Sequence, residues 1–297
     1  MRTITEFAKI CVIGHPISHS RSPLIHNHWI NIANITGEYV KVDVPPHDLK
    51  TFISTLKQQG FLGANVTIPH KEAVLTLCTH LTTRAKRLGA VNTLWFENDE
   101  LWGDSTDGEG FCAHLDQSIP DWQCTTKHIV ILGAGGAARS ICDALLEKPI
   151  EKMTIVNRNE ERALSLITSL KHSAQTAIDF SYVSYENLSS ILKNTDLLIN
   201  TTSIGMKKGD MKTIDVKAEP DIDLGALPSH AIVNDIVYVP LQTPLLVQAQ
   251  ARNLRTVDGL GMLLHQAVGG FTHWFGVHPE VTDELRTILE HDVASTS

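Results

Sequence analysis

Cysteines are few in this chain and form no pattern typical of disulfides or metal ligands. The five residues, Cys11, Cys78, Cys112, Cys124 and Cys142, are odd in number and include no CxxC pair. This usage argues against a disulfide framework and is typical of proteins from reducing compartments. We therefore expect the protein to work in the cytoplasm.

Long apolar runs and an excess of basic charge are also missing. Arg2, Glu6 and Lys9 interrupt the N-terminal segment, which argues against a signal peptide. No apolar stretch is long enough to span a bilayer. The 25 basic and 33 acidic residues give a formal charge of -8, which repels nucleic acid and anionic membranes. The expected partner is a small molecule, with no nucleic acid and no membrane.

The 297 residues, 42% of them hydrophobic, are enough for two ordinary domains. Short apolar runs alternate with longer helical patterns, which predicts an α/β protein with parallel strands and crossover helices. In the first half we predict a hairpin turning at Asn98 and Asp99, strands at 9–13, 39–44 and 63–67, and helices at 23–33 and 48–59. In the second half we predict a helix at 137–146 and strands at 128–132, 153–156, 196–200 and 231–234.

A glycine-rich turn joins a predicted strand to a predicted helix in the second half. The sequence Gly133-Ala134-Gly135-Gly136-Ala137-Ala138 fits GxGxxA, a fingerprint of dinucleotide-binding βαβ units. Its glycines allow the backbone to approach a pyrophosphate, and the positive end of the helix stabilises the phosphate charge. An ordinary tight turn between a strand and a helix is the structural alternative.

The end of the next strand bears on the choice of cofactor. An NAD site usually places an acid about 20 residues after the glycines, whereas this chain has Asn157 and Arg158 there. Arg158, with Arg162 one helical turn further, can clamp the 2′-phosphate of NADP. NADP is therefore the predicted cofactor. Glu160 could instead bind the ribose of NAD, or the charged run could simply be a solvated helix start.

Polar side chains gather in the segment 63–71, GANVTIPHK. Asn65, Thr67 and Lys71 follow an apolar lead-in, and Pro69 stands where a helix could begin. A lysine in the first turn of a helix opposes the helix dipole. The position of Lys71 therefore indicates a chemical role for this residue.

Two further motifs are ambiguous when each is taken singly. Ser22 is most simply the N-cap of the helix that Pro23 begins, but Ser20 and Ser22 together could bind a small carboxylate. The run GDSTDG from Gly103 is rich in turn-forming residues and could be a turn alone.

Four histidines near the N-terminus, His15, His19, His26 and His28, raise the question of a metal site. Pro16 breaks any helix that would align His15 with His19. No cysteine or carboxylate completes a set of ligands in that region of the sequence. We predict no metal.

Taken in order, the motifs resemble the shikimate dehydrogenase family. The matching segments are GHPISHSRSPLIHN from Gly14, GANVTIPHK from Gly63, GAVNTL from Gly89, GDSTDG from Gly103, GAGGAA from Gly133, NR at Asn157, NTTSIGM from Asn200 and DGLGMLLHQA from Asp258. Their shared order and spacing are far more specific than any single pattern. Ser105 and Asn159 depart from the family, which often has Asn at the first position and Thr or Ser at the second.

The resemblance implies reversible, NADPH-dependent reduction of 3-dehydroshikimate to shikimate, a step of aromatic amino acid (chorismate) biosynthesis. It implies an N-terminal α/β substrate domain, 1–110, completed by C-terminal helices within 260–297, and a Rossmann-type NADP domain, 111–259. The assembly is expected to be a monomer or a homodimer. Two alternatives stay open: a quinate/shikimate dehydrogenase that uses NAD, and a regulatory protein that binds shikimate without turnover.

The same correspondence implies roles for single residues, with Lys71 and Asp107 as the catalytic pair. Hydride delivery to a ketone leaves negative charge on its oxygen, which a lysine ammonium can stabilise and protonate. The implied substrate contacts are Ser20, Ser22, Asn65, Thr67, Asn92, Asp107, Tyr238 and Gln266. The implied cofactor contacts are Gly133, Ala134, Gly135, Gly136, Ala137, Asn157, Arg158, Arg162, Thr201, Ile236 and Gly259.

Overall fold

A computed structural model describes residues 7–175, 177–206 and 222–296. The chain divides into two compact units. The first contains residues 1–110 and 263–289, and the second contains residues 111–262 and 290–297. Each unit has a six-stranded sheet, so the predicted α/β class is confirmed.

The first unit has a mixed sheet. Its strands are β1 (Ala8–Gly14), β2 (Gly37–Asp43), β3 (Phe61–Val66), β4 (His80–Leu81), β5 (Thr93–Glu97) and β6 (Glu100–Asp104). Its helices are α1 (Ser22–Ile32), α2 (Leu49–Thr55), α3 (Thr83–Leu88) and the start of α4 (Asp107–Ser118), with 3-10 helices at Pro46–Asp48 and Ala73–Leu77. The strand order is β2-β1-β3-β5-β6-β4, with β1 parallel to β2 and β3, and β5 antiparallel to β3 and β6.

The second unit has a parallel sheet. Its strands are β7 (His128–Leu132), β8 (Lys152–Val156), β9 (Asp179–Val183), β10 (Leu197–Asn200), β11 (Ile232–Asp235) and β12 (Arg255–Val257). Its helices include α5 (Trp122–Thr125), α6 (Gly136–Leu145), α7 (Glu160–Ser173), α8 (Leu188–Leu192) and α9 (Pro244–Ala251), with 3-10 helices at Tyr185–Asn187 and Leu224–Ala226. The chain ends with α10 (Leu260–Phe275) and α11 (Asp283–Thr296).

The order of the parallel strands, β12-β11-β10-β7-β8-β9, has a switch point between β7 and β10. The chain runs from β7 outward through β8 and β9, and then returns to β10 on the other side of β7. In sheets of this kind, ligands bind beyond the carboxyl ends of the strands at the switch point.

Apolar side chains cover both faces of the parallel sheet. Along β7, Ile129 and Ile131 pack in the cluster that includes residues of α6 and α7. Val130 and Leu132 pack in the cluster that includes residues of α9. Burial on both faces explains why β7 is almost continuously apolar rather than alternating.

The predicted hairpin of the first unit is confirmed. Asn98 and Asp99 have φ of 50° and 68°, the left-handed conformation that a two-residue type I′ turn requires and that Asn and Asp tolerate. The register pairs Thr93 with Asp104. The start of β5 therefore meets the end of β6.

Two helix predictions in the first unit are wrong at their boundaries. The helix α2 ends at Thr55, and turns replace the predicted helix from 56 to 59. No helix begins at Pro69: the segment 69–72 is irregular, and a five-residue 3-10 helix begins only at Ala73. The carbonyl of Lys71 accepts from the N–H of Val91 at 2.8 Å. The helix-dipole argument for Lys71 is therefore wrong, since Lys71 precedes this short helix.

An aromatic cluster packs in the first unit. It contains His26 and Trp29 of α1, Tyr39 of β2, and Phe271 and Trp274 of α10. The Trp274 indole donates to the carbonyl of Leu94 at 2.8 Å. The cluster joins α1 and the C-terminal half of α10 to the sheet. In the part of the chain that the structure describes, no helix is both long and apolar enough to cross a membrane.

Candidate active site

The residues with predicted catalytic and substrate roles in the first unit follow the ends of neighbouring strands. Strands β1, β3 and β6 end on the same side of the sheet, where the antiparallel strand β5 begins. Ser20 and Ser22 follow β1, Asn65 lies in β3, Thr67 and Lys71 follow β3, Asn92 precedes β5, and Asp107 follows β6. Topology thus brings together residues that are far apart in sequence.

The Lys71–Asp107 pair is direct. Lys71 Nζ lies 2.5 Å from Asp107 Oδ2, and the two side chains are 30% and 18% exposed. Asp107 is the first residue of α4, where the positive end of the helix favours a carboxylate. Since an ammonium has three N–H bonds and this contact uses one, two can still reach a ligand. The pair can therefore hold a proton donor in place beside solvent or substrate.

Asn92 fixes the other oxygen of this carboxylate. Its Nδ2 donates to Asp107 Oδ1 at 2.8 Å and to Thr106 Oγ1 at 3.0 Å. Its Oδ1 accepts from the Thr106 N–H and from Thr93 Oγ1, each at 2.9 Å. The backbone N–H of Thr106 can only donate, so the amide has one possible orientation. Four bonds within the protein use the full capacity of the Asn92 amide.

Gln266 joins the same network from α10. Thr106 Oγ1 donates to the Gln266 carbonyl at 2.8 Å, and the Gln266 side chain lies 3.5 Å from Asn92 Nδ2. Gln266 Nε2 donates to the carbonyl of Leu263. The structure thus places Gln266 beside the residues that hold Asp107.

The side chain of Asn65, on β3, is held by three hydrogen bonds. Tyr39 donates to Asn65 Oδ1 at 2.6 Å. Asn65 Nδ2 donates to the Asn92 carbonyl at 3.1 Å and to Thr93 Oγ1 at 3.2 Å. Burial raises the pKa of the Tyr39 phenol well above its ordinary value, so the hydroxyl keeps its proton and donates. Tyr39 uses one of the two lone pairs of Asn65 Oδ1.

Ser22 does not cap α1, so that prediction is wrong. The cap position is Arg21, which makes no capping side-chain bond, and Ser22 is the first helical residue. Ser20 Oγ lies 3.3 Å from Ser22 Oγ and 3.4 Å from the Ser22 N–H. The two hydroxyls therefore meet at the start of an eleven-residue helix. Hydroxyl and backbone donors in this arrangement suit a carboxylate.

The segment before Asp107 is anchored by an ion pair between the half-buried Arg84 and the buried Asp104. Arg84 Nη2 donates to Asp104 Oδ2, and Thr82 Oγ1 donates to Asp104 Oδ1, each at 2.5 Å. The Ser105 N–H donates to Asp104 Oδ1 at 2.7 Å. Burial opposes the charge of Asp104, but the bonds from Arg84 and Thr82 outweigh it and lower the pKa of this carboxyl. Asp104 thus shapes the turn through Ser105, the position that departs from the family pattern.

The residues with predicted cofactor roles all lie in the second unit, beyond the carboxyl ends of its parallel strands or in the helix that follows. Gly133 follows β7, Asn157 and Arg158 follow β8, Thr201 follows β10, Ile236 follows β11, and Gly259 follows β12. Tyr238, predicted as a substrate contact, also follows β11 in this unit. Gly133 and Thr201 flank the switch point between β7 and β10.

The glycine-rich turn fits a dinucleotide. Gly133 has φ of 108°, and a Cβ there would lie 2.8 Å from Thr201 Oγ1, so only glycine suits this position. At Gly135 and Gly136 a Cβ would have no atom within 4 Å. This open space lies at the start of α6, where free backbone N–H groups and the helix dipole favour a pyrophosphate. The residues present therefore fit the predicted cofactor.

The segment after β8 fits a cationic site for a phosphate. Arg158 and Arg162 are exposed. Asn159 caps α7 by accepting from the Arg162 N–H at 2.8 Å, so it fills the role that Thr or Ser can have at a helix start. Glu160 is exposed in the first turn of α7. There the helix dipole favours an acid, which gives Glu160 a structural reason that is independent of NAD.

Sequence reasoning missed the buried polar residues that support the predicted substrate contacts in the first unit and the predicted cofactor contacts in the second. In the first unit these are Tyr39, Thr93 and Thr106. Thr93 and Thr106 belong to the motifs GAVNTL and GDSTDG, which gave a signal, whereas Tyr39 binds a residue 26 positions away and has no local signal. In the second unit they are Asn200, Asp235 and Thr243, linked by bonds of 2.9 Å and 2.7 Å to Asp235.

Comparisons with known proteins agree with this geometry. Residues 12–94 match the family pattern described as "Shikimate dehydrogenase substrate binding domain". Residues 114–217 match the pattern described as "Shikimate / quinate 5-dehydrogenase". A protein from Mesorhizobium japonicum named Shikimate dehydrogenase (NADP(+)) is 47% identical over 285 residues, which cover 96% of each chain. The chain belongs to the shikimate dehydrogenase family.

Solved structures resemble this shikimate dehydrogenase family member over nearly its whole length. A crystal structure of a shikimate dehydrogenase in complex with NADP+ is 33% identical, with a TM-score of 0.83 and coverage of 98% of this chain and 96% of that chain. The quinate dehydrogenase from Corynebacterium glutamicum, in complex with NAD, is 27% identical, with a TM-score of 0.85 and coverage of 95% and 99%. The predicted family and the predicted Rossmann-type architecture are confirmed.

Proposed function

We propose that this chain catalyses the reversible, NADP-dependent reduction of 3-dehydroshikimate to shikimate, in the biosynthesis of chorismate and the aromatic amino acids. The observation that carries the proposal is the Lys71–Asp107 pair at 2.5 Å. Asn92 holds the second oxygen of that carboxylate at 2.8 Å. A protein that only bound shikimate would need hydrogen-bonding groups but no fixed proton donor.

Lys71 acts as the acid in reduction. Negative charge grows on the ketone oxygen when the carbon accepts a hydride, and an ammonium can stabilise that charge and transfer its proton. Asp107 keeps the Lys71 ammonium in position through the 2.5 Å contact. In the oxidative direction the proton returns from the substrate hydroxyl to Lys71. The pair is thus a reversible acid and base.

Substrate binding is assigned by the groups that the residues present. Ser20 and Ser22, with the start of α1, bind the carboxylate. Asn65 and Thr67 bind ring hydroxyls, as do Gln266 and Asp107. Asn92 can join them by exchanging the longer of its two donated bonds, 3.0 Å to Thr106 Oγ1. Tyr238 is assigned to the substrate from its family position.

The second unit holds NADP. The glycine-rich turn, residues 133–137, and the start of α6 bind the pyrophosphate, and Arg158 with Arg162 and Asn157 bind the adenosine ribose and its 2′-phosphate. Thr201, Ile236 and Gly259 contact the rest of the cofactor. NADPH supplies the hydride for the reduction when bound. We accordingly assign substrate binding to residues 1–110 with 260–297, and cofactor binding to 111–259.

The proposed setting is the cytoplasm, as a monomer or a homodimer with no nucleic-acid partner. All five cysteines are free thiols, which fits a reducing compartment. The formal charge of -8 opposes binding to nucleic acid.

Initial rates with two substrates and two cofactors test the proposal. Purified protein is assayed with shikimate and with quinate, each with NADP+ and with NAD+, by absorbance of the reduced nicotinamide. We expect shikimate with NADP+ to have the highest kcat/KM. Faster quinate oxidation with NAD+ would support the alternative dehydrogenase, for which Glu160 at the start of α7 could bind the ribose. Shikimate binding without any absorbance change would indicate a regulatory protein.

A further inference from the structure

A continuous chain of buried hydrogen bonds crosses the sheet of the first unit. Tyr39 on β2 donates to Asn65 Oδ1 on β3 at 2.6 Å. Asn65 Nδ2 donates to Thr93 Oγ1 on β5 at 3.2 Å. Thr93 Oγ1 donates to Asn92 Oδ1 at 2.9 Å. Neither Tyr39 nor Thr93 is assigned a role in the proposed function. Thr93 lies between two residues that are, and Tyr39 contacts Ser22 as well as Asn65.

The direction of these bonds is fixed by chemistry. Asn65 Nδ2 can only donate, so Thr93 Oγ1 accepts from it. The single hydroxyl proton of Thr93 is then free to go to Asn92 Oδ1. Asn92 Nδ2 in turn donates to Asp107 Oδ1 at 2.8 Å. Each residue of this chain donates to the next, so the bonds run in one direction from Tyr39 to the Asp107 carboxylate. Aligned bonds of this kind in a buried environment strengthen one another.

The ring of Tyr39 is itself fixed by packing. The Asn27 side chain bonds both the N–H and the carbonyl of Tyr39, at 2.8 Å and 2.9 Å. The His26 ring stacks on the phenol, with centroids 4.3 Å apart and planes 12° apart. Burial lowers the pKa of His26 to about 3, so the stacked ring is neutral. The hydroxyl of Tyr39 is therefore aimed at Asn65 by rigid contacts.

We propose that Tyr39 and Thr93 are positioning residues of the active site, an inference that rests on the proposed function. Tyr39 holds the Asn65 amide so that its remaining oxygen lone pair accepts a proton from a substrate hydroxyl. A ligand with a carbonyl group in place of the hydroxyl beside Asn65 would have no proton for Asn65 Oδ1 to accept. Thr93 holds the oxygen of Asn92 and thereby keeps the Asn92 NH₂ group on Asp107.

Two variants separate the two roles. In Tyr39→Phe the Asn65 amide loses its partner, so we expect KM and Kd for shikimate to rise about fivefold while kcat changes by less than about twofold. In Thr93→Val, a change that nearly conserves shape, Asn92 loses one anchor, so we expect kcat to fall about tenfold. Thr93→Ser retains a hydroxyl, and we expect it to restore most of that kcat.

Thr154→Val is the matched control. Thr154 lies on β8 in the second unit, is 0% exposed like Thr93, and bonds His128 Nε2 and Ser181 Oγ, each at 2.9 Å. It therefore loses a buried hydroxyl with two polar partners, with no link to Lys71. We expect a similar drop in melting temperature and an unchanged kcat and KM for shikimate.

The outcomes distinguish this inference from the proposed function. Unchanged kinetics in both Tyr39→Phe and Thr93→Val, or losses that Thr154→Val reproduces, would overturn the positioning roles while wild-type turnover upheld the function. If the wild type bound shikimate without turnover, the function would fail, and the Kd of Tyr39→Phe would still decide the role of Tyr39. A Thr93→Val protein that did not fold would leave the decision to Tyr39→Phe and Thr93→Ser.

Discussion

Both units place a carboxylate at or just after the end of a strand and surround it with donors, but the two carboxylates differ in exposure. Asp107 is 18% exposed and pairs with Lys71. Asp235 is 0% exposed and accepts from Asn200 Nδ2 at 2.9 Å, from the Val237 N–H at 3.0 Å and from Thr243 Oγ1 at 2.7 Å. Burial raises the pKa of Asp235 to about 6, although the hydrogen bonds that its carboxylate accepts act to lower it.

The difference separates a group that can meet substrate from one that shapes the backbone. The charge of Asp107 faces an ammonium that a ligand can reach. The bonds of Asp235 go to the loop that carries Ile236 and Tyr238, to the start of α9 at Thr243, and to Asn200 before Thr201. Changes at Asp107 and Lys71 should therefore alter turnover, whereas changes at Asp235 should alter cofactor binding and stability.

Lys71→Ala should have the largest effect of a single change. Without the ammonium, nothing protonates the forming alkoxide, and we expect kcat to fall roughly 10³-fold with Kd for shikimate nearly unchanged. The matched control is Lys57→Ala, since Lys57 also pairs with an aspartate, Asp99, but at the exposed hairpin turn. Steady-state rates and calorimetric binding check both variants. Unchanged turnover of Lys71→Ala would remove Lys71 from its role.

Asp235→Asn should come next, through the cofactor. The amide has one accepting oxygen instead of two, so either Thr243 or the Asn200 and Val237 donors face an NH₂ group, and we expect KM for NADP+ to rise about tenfold. Asp196→Asn is the control at the opposite end of β10, where Asp196 accepts from two backbone N–H groups at 2.8 Å. We expect it to lower the melting temperature without changing KM for NADP+. Equal KM changes in the two variants would contradict the account.

Arg158→Ala should have a smaller effect, which raises KM for NADPH but not for NADH. Since Arg158 is exposed, solvent weakens its attraction to a phosphate, and we expect KM for NADPH to rise about fivefold. KM for NADH should stay unchanged, because NADH has no 2′-phosphate. Lys171→Ala, in the exposed last turn of α7, controls for the change in net charge. Equal effects on NADPH and NADH would show that Arg158 does not read the 2′-phosphate.

The smallest expected effect is on the pH dependence of stability. The pKa of Asp235 is about 6 in the folded protein against 3.8 for the ordinary group, so the native state holds this proton more tightly. Its contribution to the unfolding free energy is therefore largest below pH 3.8 and is lost as the pH rises through 6. Between pH 5 and 7 the wild type should lose about 1 kcal/mol more than Asp235→Asn. Urea unfolding of both proteins at the two pH values measures this, and parallel curves would contradict it.

Local sequence predicted the elements well where one face or both faces of an element had to be buried. The strand at 128–132 was predicted with its observed bounds, because a short, nearly continuous apolar run next to a glycine turn has few alternatives. The helix predicted at Pro69 failed because tertiary bonds, such as that from Val91 to Lys71, decide the backbone there. Residues 207–221 lie outside the described part of the chain.

The site was predictable as a set of motifs, whereas the hydrogen bonds that hold its residues were not. Glycine spacing and the resemblance pointed to the turn at Gly133 and to Lys71. The roles of Tyr39 and Asp235 depend on partners from other strands, at separations of 26 and 35 residues. Strand order determines those contacts, and no local pattern encodes strand order. Ser22 shows the reverse case, since a common local pattern predicted a cap that the structure does not contain.

The most direct test of the account is the turnover of the double variant Lys71→Ala with Asp107→Asn. If Asp107 acts by holding Lys71, the single change Asp107→Asn should lower kcat roughly 10²-fold, and adding it to Lys71→Ala should cost less than about twofold more. Binding of NADP+ to all four proteins, followed by fluorescence, confirms that the second unit is intact. A further drop of roughly 10²-fold in the double variant would mean that the two residues act independently.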